Sequence, residues 1–298
     1  MKTLLLTGAN GFLGRNILPL LRETYHVATL DLQNADYVCD VSKNIFEITK
    51  KIDIVLHAVG KAHIVPKTAI EKQAFFDVNL QGTVNLCNSL EQSGTIPKSF
   101  IFISTVAVYG YEFGENVTEN APLNGTSPYA LSKIQAEKYL IEWCAKNKVI
   151  LSIFRPSLIA GANPPGNLGA MINGIKNGKY LRISKGTARK SVLMVQDIAT
   201  LVLLAADKGG IFNVCSDEQP SFYELEQLIV NQLHKSTVLT MPMWVARIAA
   251  KIGDVFKISI FNSQKLEKIT SSLTFSNEKA KSELAWKPIN VLENFRIF

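Results

Sequence analysis

The sequence predicts an α/β protein built on a doubly wound parallel sheet, followed by a smaller C-terminal domain. Three observations carry this: apolar strand-like runs alternate with helical stretches as far as Phe154, a glycine-rich turn follows the first run, and the alternation breaks after Arg155-Pro156. A length of 298 residues is long for one core, which also favours two domains. The first spans residues 1–156. The second takes in mainly 157–298, with segments near 187–215 returning to the first.

Each element follows in order. Lys2 to Leu6 is the first strand, and Thr7 to Gly14 turns the chain into a helix starting near Phe12. Gly8, Gly11 and Gly14 stand in a Gly-x-x-Gly-x-x-Gly spacing, one residue different from the standard dinucleotide fingerprint. Glycines there let the backbone approach a pyrophosphate, and the new helix presents free N–H groups and a positive dipole end. Gly8, Asn10, Gly11, Phe12, Leu13 and Gly14 are therefore candidate cofactor contacts. The second strand, His26 to Leu30, ends at Asp31, where an acidic residue would accept the adenosine ribose hydroxyls. The bland alternative is an Asp capping a surface turn. Further strands are expected at Tyr37–Cys39, Ile52–His57, Ser99–Ser104 and Val149–Phe154, with long helices after Thr68 and Ser127. The second of these opens with Tyr129-Ala130-Leu131-Ser132-Lys133. A tyrosine one turn before a lysine puts both on one face, where the ammonium favours loss of the phenolic proton. Such a pair alone is common on solvated helices. Together with the glycine turn and the strand-end Ser104-Thr105, it falls in the chain order of one nucleotide-dependent hydride-transfer site. Beyond Pro156 come Pro164-Pro165-Gly166, Gly174 and Gly178, then shorter elements at Val195–Ala206 and Tyr223–Leu233, with Gly210–Val214 expected back in the main sheet.

The net charge of +7, from 32 Lys and Arg against 25 Asp and Glu, suits anionic small ligands and a solvated basic surface. The lysines are scattered and no nucleic-acid-binding motif is present, so no nucleic acid is expected. Cys39, Cys87, Cys144 and Cys215 form no Cys-x-x-Cys pair and no apolar signal segment precedes the first strand, which points to a reducing cytoplasm. Histidines 26, 57, 63 and 234 lack metal-ligand spacing, so no metal is expected. His57 and His63 flank a cofactor loop and read as strand-end and turn residues. In Met241–Val255, Trp244, Val245, Ile248, Ala249 and Ile252 recur at helical spacing, interrupted by Arg247 and Lys251. That helix is too charged to span a bilayer, and a packed helix or substrate lid is favoured over a membrane-surface helix.

The chain resembles the extended short-chain dehydrogenase/reductase family, in its nucleotide-sugar epimerase, dehydratase and 4-ketoreductase branch. The resemblance covers nearly the whole chain. It rests on Thr7 to Gly14, Asp40-Val41, His57-Ala58-Val59-Gly60, Asn79-Leu80-Gln81-Gly82-Thr83, Ser104 to Gly110, Tyr129 to Lys133 and Arg155-Pro156. It implies a Rossmann-like dinucleotide-binding domain with a smaller substrate-binding domain. Asp40 and Val41 would border the adenine, Ala58, Val59 and Gly60 would line the cofactor along with Pro156, and Asn79 would help hold the active-site helix.

The same resemblance gives the chemistry. Tyr129 would exchange a proton with a sugar hydroxyl or ketone while a nicotinamide exchanges hydride with the attached carbon. Lys133 would lower the Tyr129 pKa and hold the nicotinamide ribose, and Thr105 would hydrogen-bond the reacting oxygen. NAD is expected, since Asp31 would repel a 2′-phosphate, although Arg15 is a counter-signal that keeps NADP open. Arg189, eight residues before Asp197, stands where relatives place a diphosphate-binding arginine. Asn167-Leu168, opening a helix after a Pro-Gly loop, resembles the family's contact to the nucleotide diphosphate. One departure narrows the reaction: the family's 4,6-dehydratases follow the catalytic Thr with an Asp-Glu pair, and here Val106 and Ala107 stand instead. That argues against dehydration and leaves 4-ketoreduction or 4-epimerization of a nucleotide-diphosphate sugar. The short chain, the lack of an Arg-Pro-Gly-Asp stretch before Ser276–Pro288, and Arg189 to Leu193 lean toward 4-ketoreductase. A non-catalytic dinucleotide-sensing regulator is the other class, and Thr105, Tyr129 and Lys133 argue against it. A homodimer is expected through the two long helices, with Phe75, Phe76, Leu86, Ile134 and Ile141 as outward-capable residues.

Overall fold

The computed structural model describes residues 1–235, 238–256 and 261–297. The first half runs β1 (Thr3–Thr7), α1 (Phe12–Arg22), β2 (His26–Asp31), β3 (Tyr37–Val38), β4 (Ile54–His57), α2 (Ala69–Phe76), α3 (Gly82–Gln92), β5 (Ser99–Ile103), β6 (Gly114–Val117), α4 (Pro128–Asn147) and β7 (Ile150–Pro156). A π-helical turn, Asp77–Gln81, joins α2 to α3. The second half runs β8 (Leu158–Ala160), α5 (Gly166–Lys176), β9 (Leu181–Ile183), β10 (Val192–Met194), α6 (Val195–Ala205), β11 (Gly210–Val214), α7 (Phe222–Gln232), β12 (Leu239–Met241), α8 (Met243–Val255), α9 (Ser263–Thr270), β13 (Leu273–Phe275), α10 (Glu278–Leu284) and α11 (Val291–Asn294).

The main sheet has seven strands in the order β11-β7-β5-β4-β1-β2-β3, all paired in parallel. Its central strands β1, β4 and β5 have continuous apolar centres because both faces are covered. Leu4, Leu6, Ile54, Leu56 and Ile101 pack against Ile17 and Leu21 of α1 and Ile198, Leu201 and Val202 of α6. Leu5, Val55, Phe100 and Phe102 point the other way, onto Leu86 and Leu90 of α3 and Leu140 and Trp143 of α4. This is a doubly wound sheet whose order reverses between β1 and β4. A crevice opens at the strands' carboxyl ends at such a reversal, and there a ligand has room.

The observed ends differ from the expected ones for local reasons. β7 continues to Pro156 because its neighbour β11 pairs with it as far as Val214. β5 stops at Ile103, and Thr105 then caps a single 3-10 turn, Val106–Tyr109, by accepting the Ala107 N–H at 3.1 Å. α2 opens on a capping box between Thr68 and Glu71, and α4 on a Ser127 cap followed by Pro128. Beyond β7, the chain forms short parallel pairs, β8 with β10 and β9 with β12, and a second core around Leu168, Ile172, Leu225 and Ile229. The chain then returns, since Ala280, Leu284 and Trp286 join the core under α1 and α6. Among the described residues no helix is long and apolar enough to cross a membrane.

Three residues expected to face outward do not. Phe75, Leu86 and Ile134 are buried in their own chain. Leu86 packs on Phe100 beneath α3, Ile134 packs on Val108 and Tyr109, and Phe75 turns its ring toward Tyr129, 6.2 Å between centroids. These side chains meet the sheet, the Val106–Tyr109 turn and α4, leaving Ile141 exposed and Phe76 half-buried.

A buried ion pair ties α4 to β7. Arg155 donates to both carboxylate oxygens of Glu137, at 3.1 and 2.6 Å, and Ser104 donates to the same carboxylate. Arg155 also reaches the Tyr109 hydroxyl at 3.0 Å, which donates to Asn213 of β11 at 2.6 Å. Arg155→Ala strands the Glu137 carboxylate away from water, so urea unfolding should show a loss of about 3–5 kcal/mol. A loss under about 1 kcal/mol would show that the pair does not clamp the helix.

Candidate active site

The glycine turn lies at the reversal of strand order. Gly8 adopts φ +73°, a left-handed conformation, and donates its N–H to Leu30 O at 2.9 Å. A Cβ on Gly14 would lie 2.3 Å from Gly8 O and 2.5 Å from Ala9 O, so only glycine lets α1 start this close to the loop. Gly11 precedes α1, whose first-turn N–H groups receive no side-chain cap. Phe12 is half-buried, and Leu13 is buried. Asp31 closes the loop from β2, accepting the Asn10 N–H at 2.8 Å with one oxygen and the Leu32 N–H at 2.7 Å with the other. A carboxylate has about four lone-pair sites, so it can still accept ribose hydroxyls. An uncapped helix N-terminus, a loop with glycine at positions 8, 11 and 14 and an acid at the next strand's tip together fit a dinucleotide. Arg15 is exposed.

Behind this loop runs a buried polar chain that the motifs did not reveal. Thr7 Oγ1 lies 2.8 Å from His57 Nδ1, and His57 Nε2 lies 3.0 Å from Thr83 Oγ1. Thr83 donates its hydroxyl to Asn79 O at 2.7 Å, so it must accept from His57, which places the imidazole proton on Nε2. Thr7 then donates to Nδ1, and its oxygen accepts the N–H groups of Ala58 and Val59 at 3.1 and 3.3 Å. Asn79 takes the Lys61 N–H at 2.7 Å and donates to Ser132 Oγ at 2.9 Å, while Ser132 donates to Tyr129 O at 2.8 Å. One hydrogen-bonded path thus joins β1, β4, the π turn and α4. Burial, helped by the Lys133 charge, pushes the His57 pKa down to about 3, so the ring is neutral.

Thr105, Tyr129 and Lys133 come together at the ends of β5 and α4. The Thr105 hydroxyl is near enough to the Tyr129 phenol to lower its pKa. Lys133 Nζ donates to Ile103 O at 2.8 Å and sits 4.5 Å from the centre of the Phe102 ring. A Cβ on Gly60 would come within 3.2 Å of Lys133 Nζ and 3.3 Å of Asn79 Oδ1, so the small residue keeps that corner open. Burial pushes Lys133 down to about 8, against the opposing pull of Glu137. One expectation is corrected here. Lys133 does not lower the Tyr129 pKa in this structure, because its ammonium is held on Ile103 O and the Phe102 ring. Burial instead raises the phenol above its ordinary value, and the nearby Thr105 hydroxyl only partly offsets it.

The remaining candidates are scattered. Asp40 is tied to its own turn by Ser42 and Lys43. Val41 turns its side chain into the core, and its carbonyl accepts from Asn85 at 2.7 Å. Pro156 is buried as the last residue of β7. Asn167 is exposed in the first turn of α5, whereas the Leu168 side chain is in the core of the second lobe. Arg189 donates to Gln219 O at 2.6 Å and approaches Glu224 at 3.5 Å, so its exposed guanidinium is already engaged. Thr7, Thr83, Ser132 and Glu137 are the site residues that the motif reading missed. Thr7, Thr83 and Ser132 stand inside the motifs that carry the resemblance but had no role assigned there, and Glu137 lies outside them.

A parallel doubly wound sheet with a glycine loop at its reversal and a Thr-Tyr-Lys cluster beside it defines a dinucleotide-binding protein. Residues 4–215 match the family model described as NAD dependent epimerase/dehydratase family. The chain belongs to that family. It is 31% identical, over 77% of its length and 69% of the relative's, to an N-acetyl-alpha-D-glucosaminyl-diphospho-ditrans,octacis-undecaprenol 4-epimerase from Escherichia coli O157:H7. It is 27% identical to a UDP-glucose 4-epimerase from Vibrio cholerae, covering 98% of this chain and 92% of that one. In fold it matches UDP-glucuronic acid 4-epimerase from Bacillus cereus, with a TM-score of 0.76 and 19% identity over 98% of this chain and 96% of that one.

With Lys133 down at about 8, its positive charge is complete at pH 6 and lost as pH rises through 8. If that charge supports turnover, kcat/KM falls on the alkaline side with a midpoint near 8, and neutral His57 adds no limb between about pH 5 and 9. A flat profile from pH 6 to 10 would show that the Lys133 charge plays no part.

Proposed function

We propose that this protein is an NAD-dependent 4-ketoreductase acting on a nucleotide-diphosphate 4-keto-hexose. The observation carrying the proposal is the cluster of Thr105, Tyr129 and Lys133 beside the glycine loop, with Val106 and Ala107 following Thr105. The nicotinamide, when bound, would supply the hydride. Tyr129 would give its hydroxyl proton to the ketone oxygen, and Thr105 would hydrogen-bond that same oxygen. Lys133, whose ammonium is held on Ile103 O, would hold the nicotinamide ribose. Neither Val106 nor Ala107 can act as acid or base, so no group follows Thr105 to expel water from the neighbouring carbon. Asn167 and Arg189 would face the diphosphate, Arg189 by exchanging its contact to Glu224 for a phosphate oxygen.

A second reading, 4-epimerization, is favoured by the names of the relatives at 31% and 27% identity. The two differ in their redox balance. A reductase consumes NADH in step with 4-keto-sugar and forms one epimer, whereas an epimerase interconverts two sugars with no net change at the nicotinamide absorbance band. Incubation with a panel of UDP- and dTDP-sugars and their 4-keto derivatives distinguishes them, and inertness toward every member would count against both. A sensing role without catalysis is disfavoured by the presence of all three clustered side chains. We further propose a homodimer through α2 and α4, on which Ile70, Leu131 and Ile141 remain exposed.

Tyr129→Phe keeps the ring against Phe75 and removes only the transferable proton. Turnover should fall by about 100-fold to 10,000-fold with dinucleotide affinity unchanged, and retention of more than about a tenth of wild-type turnover would remove Tyr129 from the chemistry. Cofactor choice follows from Asp31, whose carboxylate already faces the loop. NAD(H) should bind more tightly than NADP(H) in a titration of both, and the reverse order would transfer control to Arg15.

A further inference from the structure

Helix α8 is oriented against ordinary packing. Its inward face is built from Ala246, Ala250 and Gly253, which lie against α9; a Cβ on Gly253 would come 1.9 Å from Phe261 O. Its large apolar side chains point out instead: Trp244 is 67% exposed, Ile248 53%, Ile252 49%, Val255 77% and Phe256 72%. On a helical wheel these five residues cover about 120° of the circumference. Arg247 and Lys251 are also exposed and border the stripe on the Trp244 side. Asp254, the acid on this helix, is turned onto Ser263 through its N–H and hydroxyl.

We propose that this face of α8 docks on an anionic lipid bilayer, lying in the interface rather than crossing it. A large apolar stripe at a water-exposed surface marks an interaction site. An exposed tryptophan with a basic border selects the headgroup level of a negatively charged bilayer over a protein groove. Charge complementarity extends beyond the helix, because the whole chain carries +7. Docking would use side chains that contribute nothing to the core. α8 takes no part in the Thr105, Tyr129 and Lys133 cluster, so the attachment is separable from turnover.

The test uses the full-length protein and extruded vesicles of phosphatidylglycerol mixed with phosphatidylcholine, against vesicles of phosphatidylcholine alone. Trp143 and Trp286 are buried, so a blue shift of tryptophan emission on binding reports Trp244. The expected result is cosedimentation and a blue shift with anionic vesicles at low salt, both weakened by added salt. Arg247→Glu with Lys251→Glu should cut partitioning at least about tenfold, and Ile248→Glu with Ile252→Glu should abolish it. Both variants should keep cooperative melting and wild-type turnover of a water-soluble substrate. Absence of binding to anionic vesicles, equal binding to neutral ones, or binding unaffected by either variant would overturn the proposal. A particle mass in light scattering that falls in the Ile248→Glu, Ile252→Glu variant would overturn it in favour of a second copy covering this face.

Discussion

The arrangement of the site depends on a constraint set by burial. Where β1 and β4 end side by side, the backbone must turn away in two directions, and the polar groups freed by those turns are cut off from water. An unpaired buried donor or acceptor costs about 1–3 kcal/mol. Thr7, His57, Thr83, Asn79 and Ser132 satisfy one another and the turning backbone in one continuous path. Because each hydroxyl in the path both donates and accepts, the proton on His57 has a single consistent position. The glycine loop and the tyrosine helix, far apart in sequence, therefore share one rigid support. The π turn at Asp77–Gln81 places Asn79 at the centre of that support, in keeping with the tendency of such turns to occur at functional sites.

The electrostatics on the open side of this support are poised rather than complete. Tyr129 is raised by burial while Lys133 is lowered, each change disfavouring its charged form. Glu137 opposes the shift at Lys133, yet its carboxylate is mostly committed to Arg155 and Ser104. The helix that carries the tyrosine is thus held by a strong buried ion pair on one side and by neutral hydrogen bonds on the other. That division suits a site in which a proton has to leave one oxygen and return to it without the helix moving.

Much of this was legible in the sequence. Gly8, Gly11 and Gly14 announced the loop because their spacing has a steric cause, visible in the Gly14 position against Gly8 O. The central strands were legible because both sheet faces are covered and the apolar centres of β1, β4 and β5 are continuous. Asp31 was legible from its place at the end of the second run. Thr83, Ser132 and Glu137 were not, because a buried hydroxyl or carboxylate shows itself only through partners brought together by the fold. His57 reads in sequence as an ordinary strand-end residue for the same reason. The expectation that Phe75, Leu86 and Ile134 face outward failed because apolar spacing marks a helix's apolar face without showing what it meets: Leu86 meets the sheet, Ile134 the Val106–Tyr109 turn and Phe75 the Tyr129 ring. The direction of α8 was likewise hidden: its pattern is amphipathic either way, and only the packing of Ala246, Ala250 and Gly253 on α9 shows which side is turned out.

The claim that one buried path supports both cofactor loop and tyrosine is tested most directly at Thr83, which touches neither. Thr83→Val keeps the shape and deletes the hydroxyl, stranding the His57 Nε2 proton and releasing Asn79 O. Dinucleotide affinity by fluorescence titration and turnover, measured on a variant that still melts cooperatively, should both fall several-fold together. If affinity and turnover stay at wild-type values while only the melting temperature drops, the path is structural ballast and the two halves of the site are positioned independently.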